Sequence, residues 1–295
     1  MAPRLRRPER LYGAYVFDLD GTLYLGEDAL PGAVETVAFL REAGARLAFV
    51  TNNPLQLPAG WARKLRGLGF EVADEEVISS MDALIAYLRR HHAGARLFPI
   101  AEPPLIHQLV TAGFRVTADP DRTDVVVVSF DRGFHYDKLR LAFLAVNEGA
   151  RIVATNPDAY CPTPDGGLPD CGAILAAIEA ASGKRANAIV GKPSALMAAT
   201  VLERLGSSPG DTLVVGDRLE TDIRMARSAG LASALVLTGA ARVAPSPLEL
   251  DRPDFVIGSV RELTVRKLGL SRCDGREDHP GQSAPGRAHP SKRTP

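Results

Sequence analysis

The chain reads as an α/β protein built on a parallel sheet, and three observations predict it. Apolar, β-prone runs alternate with helical patterns from Tyr15 onward, and the same alternation returns at Ala188. Between those stretches lie about a hundred residues with an alternation of their own. Finally, four short polar patches each stand directly after an apolar run, where open α/β sheets present residues to ligands.

In order, a strand runs into Asp18, and a helix is expected near Pro31–Ala43 with Pro31 at its start. A strand over Leu47–Val50 and a helix over Trp61–Leu68, ended by Gly69, complete a βαβ series. The central stretch predicts helix Ala83–Arg90, strand Leu97–Ile100, helix Leu105–Ala112, strand Val125–Ser129, helix Asp137–Asn147, strand Ile152–Ala154 and helix Ala173–Ala181. Leu139, Phe143 and Val146 follow i, i+4, i+7, which gives the Asp137 helix one buried face, so the insert is expected to be a domain and not a loop. The pattern resumes with strand Ala188–Val190, helix Ser194–Leu205, strand Leu213–Val215, a helix through Asp222–Ser228 closed by Gly230, and strand Ala234–Leu237. These outer stretches are expected to share one sheet.

With 295 residues and 45% hydrophobic content, the chain has apolar material for two cores. Lys plus Arg and Asp plus Glu both number 35, so no bulk field favours nucleic acid or anionic lipid, and a small-molecule partner fits best. No apolar run is long enough to cross a bilayer and the start MAPRLRRPERLYGAY lacks a signal-peptide core, so the expected location is the cytoplasm. Cys161, Cys171 and Cys273 lack CxxC spacing and are read as free thiols. SRCDGREDHPGQSAPGRAHPSKRTP has almost no aliphatic content, and 271–295 is expected to be a disordered tail.

The four patches are VFDLDGTLY at 16–24, FVTNN at 49–53, VGKPS at 190–194 and VVGDRLETDI at 214–223. Their chemistry is complementary: Asp18, Asp20 and Asp217 could bind a hard cation, while Thr51, Asn52 and Lys192 could hold an anion. DLDGTL with TNN, GKPS and GDRLETD resembles the haloacid-dehalogenase superfamily, and within it the class IIA phosphatases of the NagD and p-nitrophenylphosphatase type, over roughly residues 11 to 265.

The resemblance implies a Rossmann-like parallel-sheet core of the haloacid-dehalogenase type at 11–80 and 186–268, with an α/β cap domain of the C2 type inserted at 81–185. It implies a phosphatase acting on a small phosphorylated metabolite, a sugar phosphate, glycerol phosphate or similar phosphomonoester, through an aspartyl-phosphate intermediate. Asp18 takes the nucleophilic role by resemblance. Asp20, close to but distinct from it, suits the general acid and base. A sensor that binds phosphometabolites without turnover, and a phosphotransferase on the same scaffold, are the alternatives; the presence of both Asp18 and Asp20 argues against the sensor. A homodimer is a further expectation from the family.

Thr51, Asn52 and Asn53 place a hydroxyl and amides where phosphoryl oxygens could lie, with a turn as the alternative for Asn53 before Pro54. Lys192, between Gly191 and Pro193, would neutralise phosphoryl charge and hold Asp18. Ser194 reads as a helix N-cap. In the superfamily pattern Asp217 ligates metal together with Asp18 and the backbone carbonyl of Asp20, and few protein ligands with retained water favour Mg²⁺. Asp222 either supports that metal site or caps its helix, and Glu220 is expected to face solvent. TNPDAYCPTPDGGLPDCGAI is the candidate specificity loop, in which Asp170 either binds substrate or caps the following helix. His135 reads as a surface or capping residue, and His91 and His92, being adjacent, are expected to point apart.

Overall fold

The computed structural model describes residues 5–163, 166–246 and 248–264. The tail expected at 271–295 and Cys273 lie outside the described residues.

The chain opens with β1 (Ala14–Asp18), the hairpin β2 (Tyr24–Leu25) and β3 (Asp28–Ala29), helix α1 (Ala33–Glu42) and β4 (Arg46–Thr51). Helix α2 (Pro58–Gly67), β5 (Val77–Ser79) and α3 (Ser80–His91) follow. Next come β6 (Arg96–Ile100), α4 (Pro103–Thr111), β7 (Arg115–Val116), β8 (Val125–Val128), α5 (Tyr136–Asn147) and β9 (Arg151–Ala154). The hairpin β10 (Tyr160–Thr163) and β11 (Gly166–Pro169) leads to α6 (Cys171–Ser182), β12 (Ala188–Ile189) and α7 (Ala195–Leu205). The described chain finishes with β13 (Thr212–Gly216), a π-helical turn over Leu219–Ile223, α8 (Arg224–Ser228), β14 (Ala232–Val236) and β15 (Phe255–Ile257).

Two parallel sheets result. The larger has the order β15-β14-β13-β1-β4-β5 and the smaller β12-β9-β8-β6-β7. Strands in both read as continuous apolar runs, VVVV in β8 for instance, because each sheet is covered on both faces. Strand alternation distributes the side chains. Tyr15 and Phe17 join one cluster with Phe49, Leu65 and Val215, while Ala14 and Val16 face a second with Val50 and Val214. That second cluster also takes in Leu97, Val125, Val127 and Val153 of the smaller sheet, with Met81, Leu84, Leu105, Met197 and Val201 from the helices. The two sheets therefore share one continuous core, to which each large buried aliphatic side chain contributes about 1.5–3 kcal/mol. A third cluster, including Phe98, Val126, Ile152 and Ile178, covers the far face of the smaller sheet.

Three expectations need correction. The strand Ala188–Val190 was expected in the larger sheet, but β12 pairs with β9 at the edge of the smaller one, Ala188 against Val153 and Ile189 against Ala154. Helix α3, at the start of the insert, packs its Met81, Leu84 and Leu88 into the core that both sheets share. In α5 the buried residues are Ala142, Ala145 and Val146, with Leu139 only partly covered, so the small residues form the buried face. His91 and His92 do not point apart either: both rings lie against Tyr87, at centroid distances of 4.6 and 5.7 Å.

Candidate active site

Because all strands of the larger sheet are parallel, their C-terminal ends open on one edge, and the polar patches meet there. A cavity of about 690 Å³ is lined by Asp18, Asp20, Thr51, Asn52, Asn53, Lys192, Asp217 and Asp222. Phe130 after β8, Asp158 after β9, and Tyr160, Cys161 and Asp170 around the β10–β11 hairpin line it from the smaller sheet.

Asp18, Asp217 and Asp222 each place a carboxylate oxygen within 4.8 Å of the others. Lys192 lies against them, its Nζ donating to Asp18 Oδ1 and, at 2.7 Å, to Asp222 Oδ1. Burial works against the Lys192 ammonium, but Asp18 and Asp222 outweigh it and hold its pKa above the ordinary value. Burial likewise pushes the Asp18 carboxyl well above the usual range, against the pull of Lys192. One ammonium thus faces three crowded carboxylates.

Asp217 follows β13 and is held by backbone. Its Oδ2 accepts from Ala240 N–H at 2.5 Å and its carbonyl from Ala241 N–H at 3.0 Å. Thr238 Oγ1 donates to the Gly21 carbonyl at 2.6 Å, fastening the same loop to the turn after β1. Two glycines make the approach feasible: Gly21 adopts φ +80°, and a Cβ at Gly239 would overlap the Asp217 carboxylate. Asp217 Oδ1 is buried without a hydrogen-bond partner among the described residues. Burial, reinforced by Asp222, raises the Asp217 pKa to about 6.

Asp20 is exposed on the cavity wall, and partial burial there raises its pKa, opposed by Lys64 and Arg218. Its carboxylate is outside the three-acid cluster, so only its backbone carbonyl is left for the metal role expected of it. Thr51 is 7% exposed, and its Oγ1 accepts from Asn53 N–H at 3.1 Å. Asn53 Oδ1 accepts from Leu55 N–H at 2.9 Å, the turn alternative for that residue. Asn52, expected to hold phosphoryl oxygens, instead directs its amide to the Lys192 backbone and to Asp158. Asp222 Oδ2 accepts from Arg218 N–H at 3.2 Å while Oδ1 meets Lys192, so it both closes the turn and holds the lysine.

Ser194 caps α7, accepting from Leu196 N–H at 3.1 Å, and α7 itself starts at Ala195, two residues beyond Pro193. Glu220 is exposed, as expected, and so is His135, which stands at the N-cap position of α5 without a side-chain capping bond. Cys171 is buried and donates to the Val128 carbonyl, while Cys161 is half-buried on the cavity wall. Arg218 and the Thr238–Arg242 loop escaped the sequence reading. Burial disfavours the Arg218 guanidinium, but Asp217, Asp158, Asp18 and Asp222 raise its pKa. Its place directly after Asp217 in GDRL was the available signal; the loop, acting through backbone, offered none.

Asp170 caps α6, accepting from Cys171 N–H at 2.5 Å, and borders the cavity. Burial, together with Asp158, raises its pKa to about 6 from 3.8. A carboxyl raised on folding stabilises the fold fully below its unfolded pKa, and that contribution is lost as pH rises through the folded value. Asp170→Asn keeps an N-capping oxygen without the charge. It is expected to gain on the order of 2 kcal/mol over the parent between pH 4 and 7, measured by denaturant unfolding across that range; a constant difference would contradict it.

Residues 15–115 match the family model described as haloacid dehalogenase-like hydrolase, and residues 189–263 match a second model of HAD-hydrolase-like proteins. The sugar-phosphatase AraL of Bacillus subtilis is 34% identical over 249 residues, covering 84% of this chain and 91% of that protein. Among solved structures, the 4-nitrophenylphosphatase of Thermotoga maritima superposes with a TM-score of 0.79 at 34% identity, over 85% of this chain and 96% of that one. NagD of E. coli K-12 gives 0.78 at 33% identity, over 86% and 98%.

Proposed function

The chain belongs to the haloacid dehalogenase-like hydrolases, as a class IIA phosphatase of phosphomonoesters, and from that premise we propose that it releases phosphate from small sugar phosphates through an aspartyl phosphate on Asp18, with Mg²⁺ as cofactor. The observation that carries this reading is the meeting of Asp18, Thr51, Lys192 and Asp217 around one cavity, with the Lys192 ammonium on the Asp18 carboxylate. Further polar groups lining the cavity, Asp158 and Asp170 from the smaller sheet and Arg218 beside Asp217, suit the hydroxyls of a sugar.

The residues fit a hard divalent cation. Three carboxylates against the Lys192 ammonium and the Arg218 guanidinium still leave negative charge, and the buried, unpartnered Oδ1 of Asp217 offers an oxygen with nothing else to bind. Asp18, Asp217 and the Asp20 carbonyl would hold it directly, because both Asp222 oxygens are already engaged. Bound there, Mg²⁺ supplies charge neutralisation for the carboxylates and the phosphoryl group.

Asp18 attacks phosphorus, and the ester oxygen leaves as Asp20 protonates it. The raised pKa of Asp20 favours the protonated form that this step needs. Asp20 then takes a proton from water, which attacks the phosphoaspartate, frees inorganic phosphate and restores Asp18. Lys192 offsets charge on Asp18 and the phosphoryl oxygens, and Thr51 donates to one of them. The region 81–185, with β12 added to it, acts as the cap that excludes bulk water and selects the leaving alcohol.

A panel of sugar phosphates, glycerol phosphate and p-nitrophenyl phosphate, assayed with and without Mg²⁺, tests the reading. Phosphate release that requires Mg²⁺ and favours sugar phosphates is expected. Binding without release would favour the sensor.

A further inference from the structure

Lys192 and Asp18 come from different sheets. Asp18 ends β1 of the larger sheet, whereas the segment carrying Lys192 continues the edge of the smaller one: Val190 N–H donates to the Ala154 carbonyl at 3.0 Å and Gly191 N–H to the Thr155 carbonyl at 2.8 Å. A flexible lysine stem fixes its ammonium only as well as its backbone is fixed. The backbone at 192 must therefore be tied to the larger sheet.

Asn52, one residue past the end of β4, makes that tie. Its Oδ1 accepts from Lys192 N–H at 2.8 Å, and its Nδ2 donates to the Lys192 carbonyl at 2.9 Å. Nδ2 also donates to Asp158 Oδ2, at 3.0 Å, on the loop after β9. Both amide hydrogens are thereby used, and no side-chain donor is left for a phosphoryl oxygen. Asn52 is itself anchored, its carbonyl accepting from Ser80 Oγ at 2.9 Å. Gly191 permits the close approach: a Cβ there would stand 2.6 Å from Asn52 Oδ1 and overlap the Thr155 carbonyl. Aspartate could not replace Asn52, since it lacks the donor and would repel Asp158.

We propose that Asn52 is a positioning residue that clasps the Lys192 backbone across the junction of the two sheets, so that the ammonium meets Asp18 and Asp222, and that Asp158 braces the clasp from the loop after β9. The inference rests on the reading of Lys192 and Asp18 as partners at the reacting phosphate. It differs from direct phosphate binding by Asn52 in what its loss does to the kinetics.

The test compares Asn52→Ala, Asp158→Ala and Asp158→Asn on p-nitrophenyl phosphate with saturating Mg²⁺, with Lys192→Met as control. Asn52→Ala is expected to lower kcat roughly 10- to 100-fold and to move KM by less than about threefold. Asp158→Ala should lower kcat in the same sense but less, and Asp158→Asn, which keeps the accepting oxygen, should restore it. A raised KM with unchanged kcat in Asn52→Ala would overturn the proposal, as would wild-type values of both. If Asn52→Ala does not fold, Asn52→Ser is read by the same criteria, and failure of both to fold makes the residue structural and overturns it. A fully active Lys192→Met would instead remove the reading of the site beneath it; an inactive Lys192→Met beside a KM-only effect in Asn52→Ala sinks this inference alone.

Discussion

Asp18→Asn is expected to abolish turnover, with kcat falling by roughly 10⁴-fold or more, while a phosphate ester still binds with about the parent's affinity. An amide oxygen is too weak a nucleophile to displace an alkoxide from phosphorus, so the covalent route closes. The pocket survives the change. Asparagine is isosteric, its Oδ1 can still accept from Lys192, and Thr51, Lys192 and Asp217 stay in place around the cavity. Steady-state kinetics give the first number and calorimetry with p-nitrophenyl phosphate the second. Activity at the parent level would remove Asp18 from the chemistry.

The second large effect concerns Asp217 and has two parts of opposite sign. Without added metal, Asp217→Asn is expected to be more stable than the parent above pH 6, by about 1–3 kcal/mol. Its carboxylate is buried beside Asp222, one oxygen lacks a partner, and its pKa stands at about 6, so the ionised form costs the folded state. That advantage should fade as pH falls below 6 and the parent carboxyl takes up a proton. With Mg²⁺ that gap closes or reverses. The parent should gain about 2.7 kcal/mol at a hundred times the dissociation constant, and the variant almost nothing. Thermal unfolding at pH 5 and pH 8, each with EDTA or Mg²⁺, reads both parts without relying on turnover. An equal Mg²⁺ response in the two proteins would take Asp217 out of the cation site.

Asp18, Lys192 and Asp217 were legible in the sequence because each stands just past a buried apolar run, so their location follows from the strand and their chemistry from the residue type. Less local features were not. β12 has two residues, and no periodicity says which of two parallel sheets such a strand will join; Ile189 and Ala154 pair and pack with the cluster on the far face of the smaller sheet. The place of Asn52 just past an apolar strand suggests a phosphate ligand, whereas its partners are Lys192 and Asp158, far along the chain and brought near only by the junction of the sheets. Gly239 and Ala240 hold Asp217 through backbone and close approach, which no distinctive side chain announces. In α5, Ala142 and Ala145 are buried in preference to the bulkier Leu139, since small residues let the helix approach the sheet closely.

The claim on which the mechanism depends is that phosphate passes through Asp18. Rapid mixing of enzyme with p-nitrophenyl phosphate and Mg²⁺, followed by acid quench, borohydride reduction and peptide mapping, measures it directly. An aspartyl phosphate at that position is reduced to homoserine at residue 18, in an amount that rises and falls with turnover, and none forms in Asp18→Asn. Homoserine at a different carboxylate, or full phosphate release with no reducible species at any time, would contradict the account.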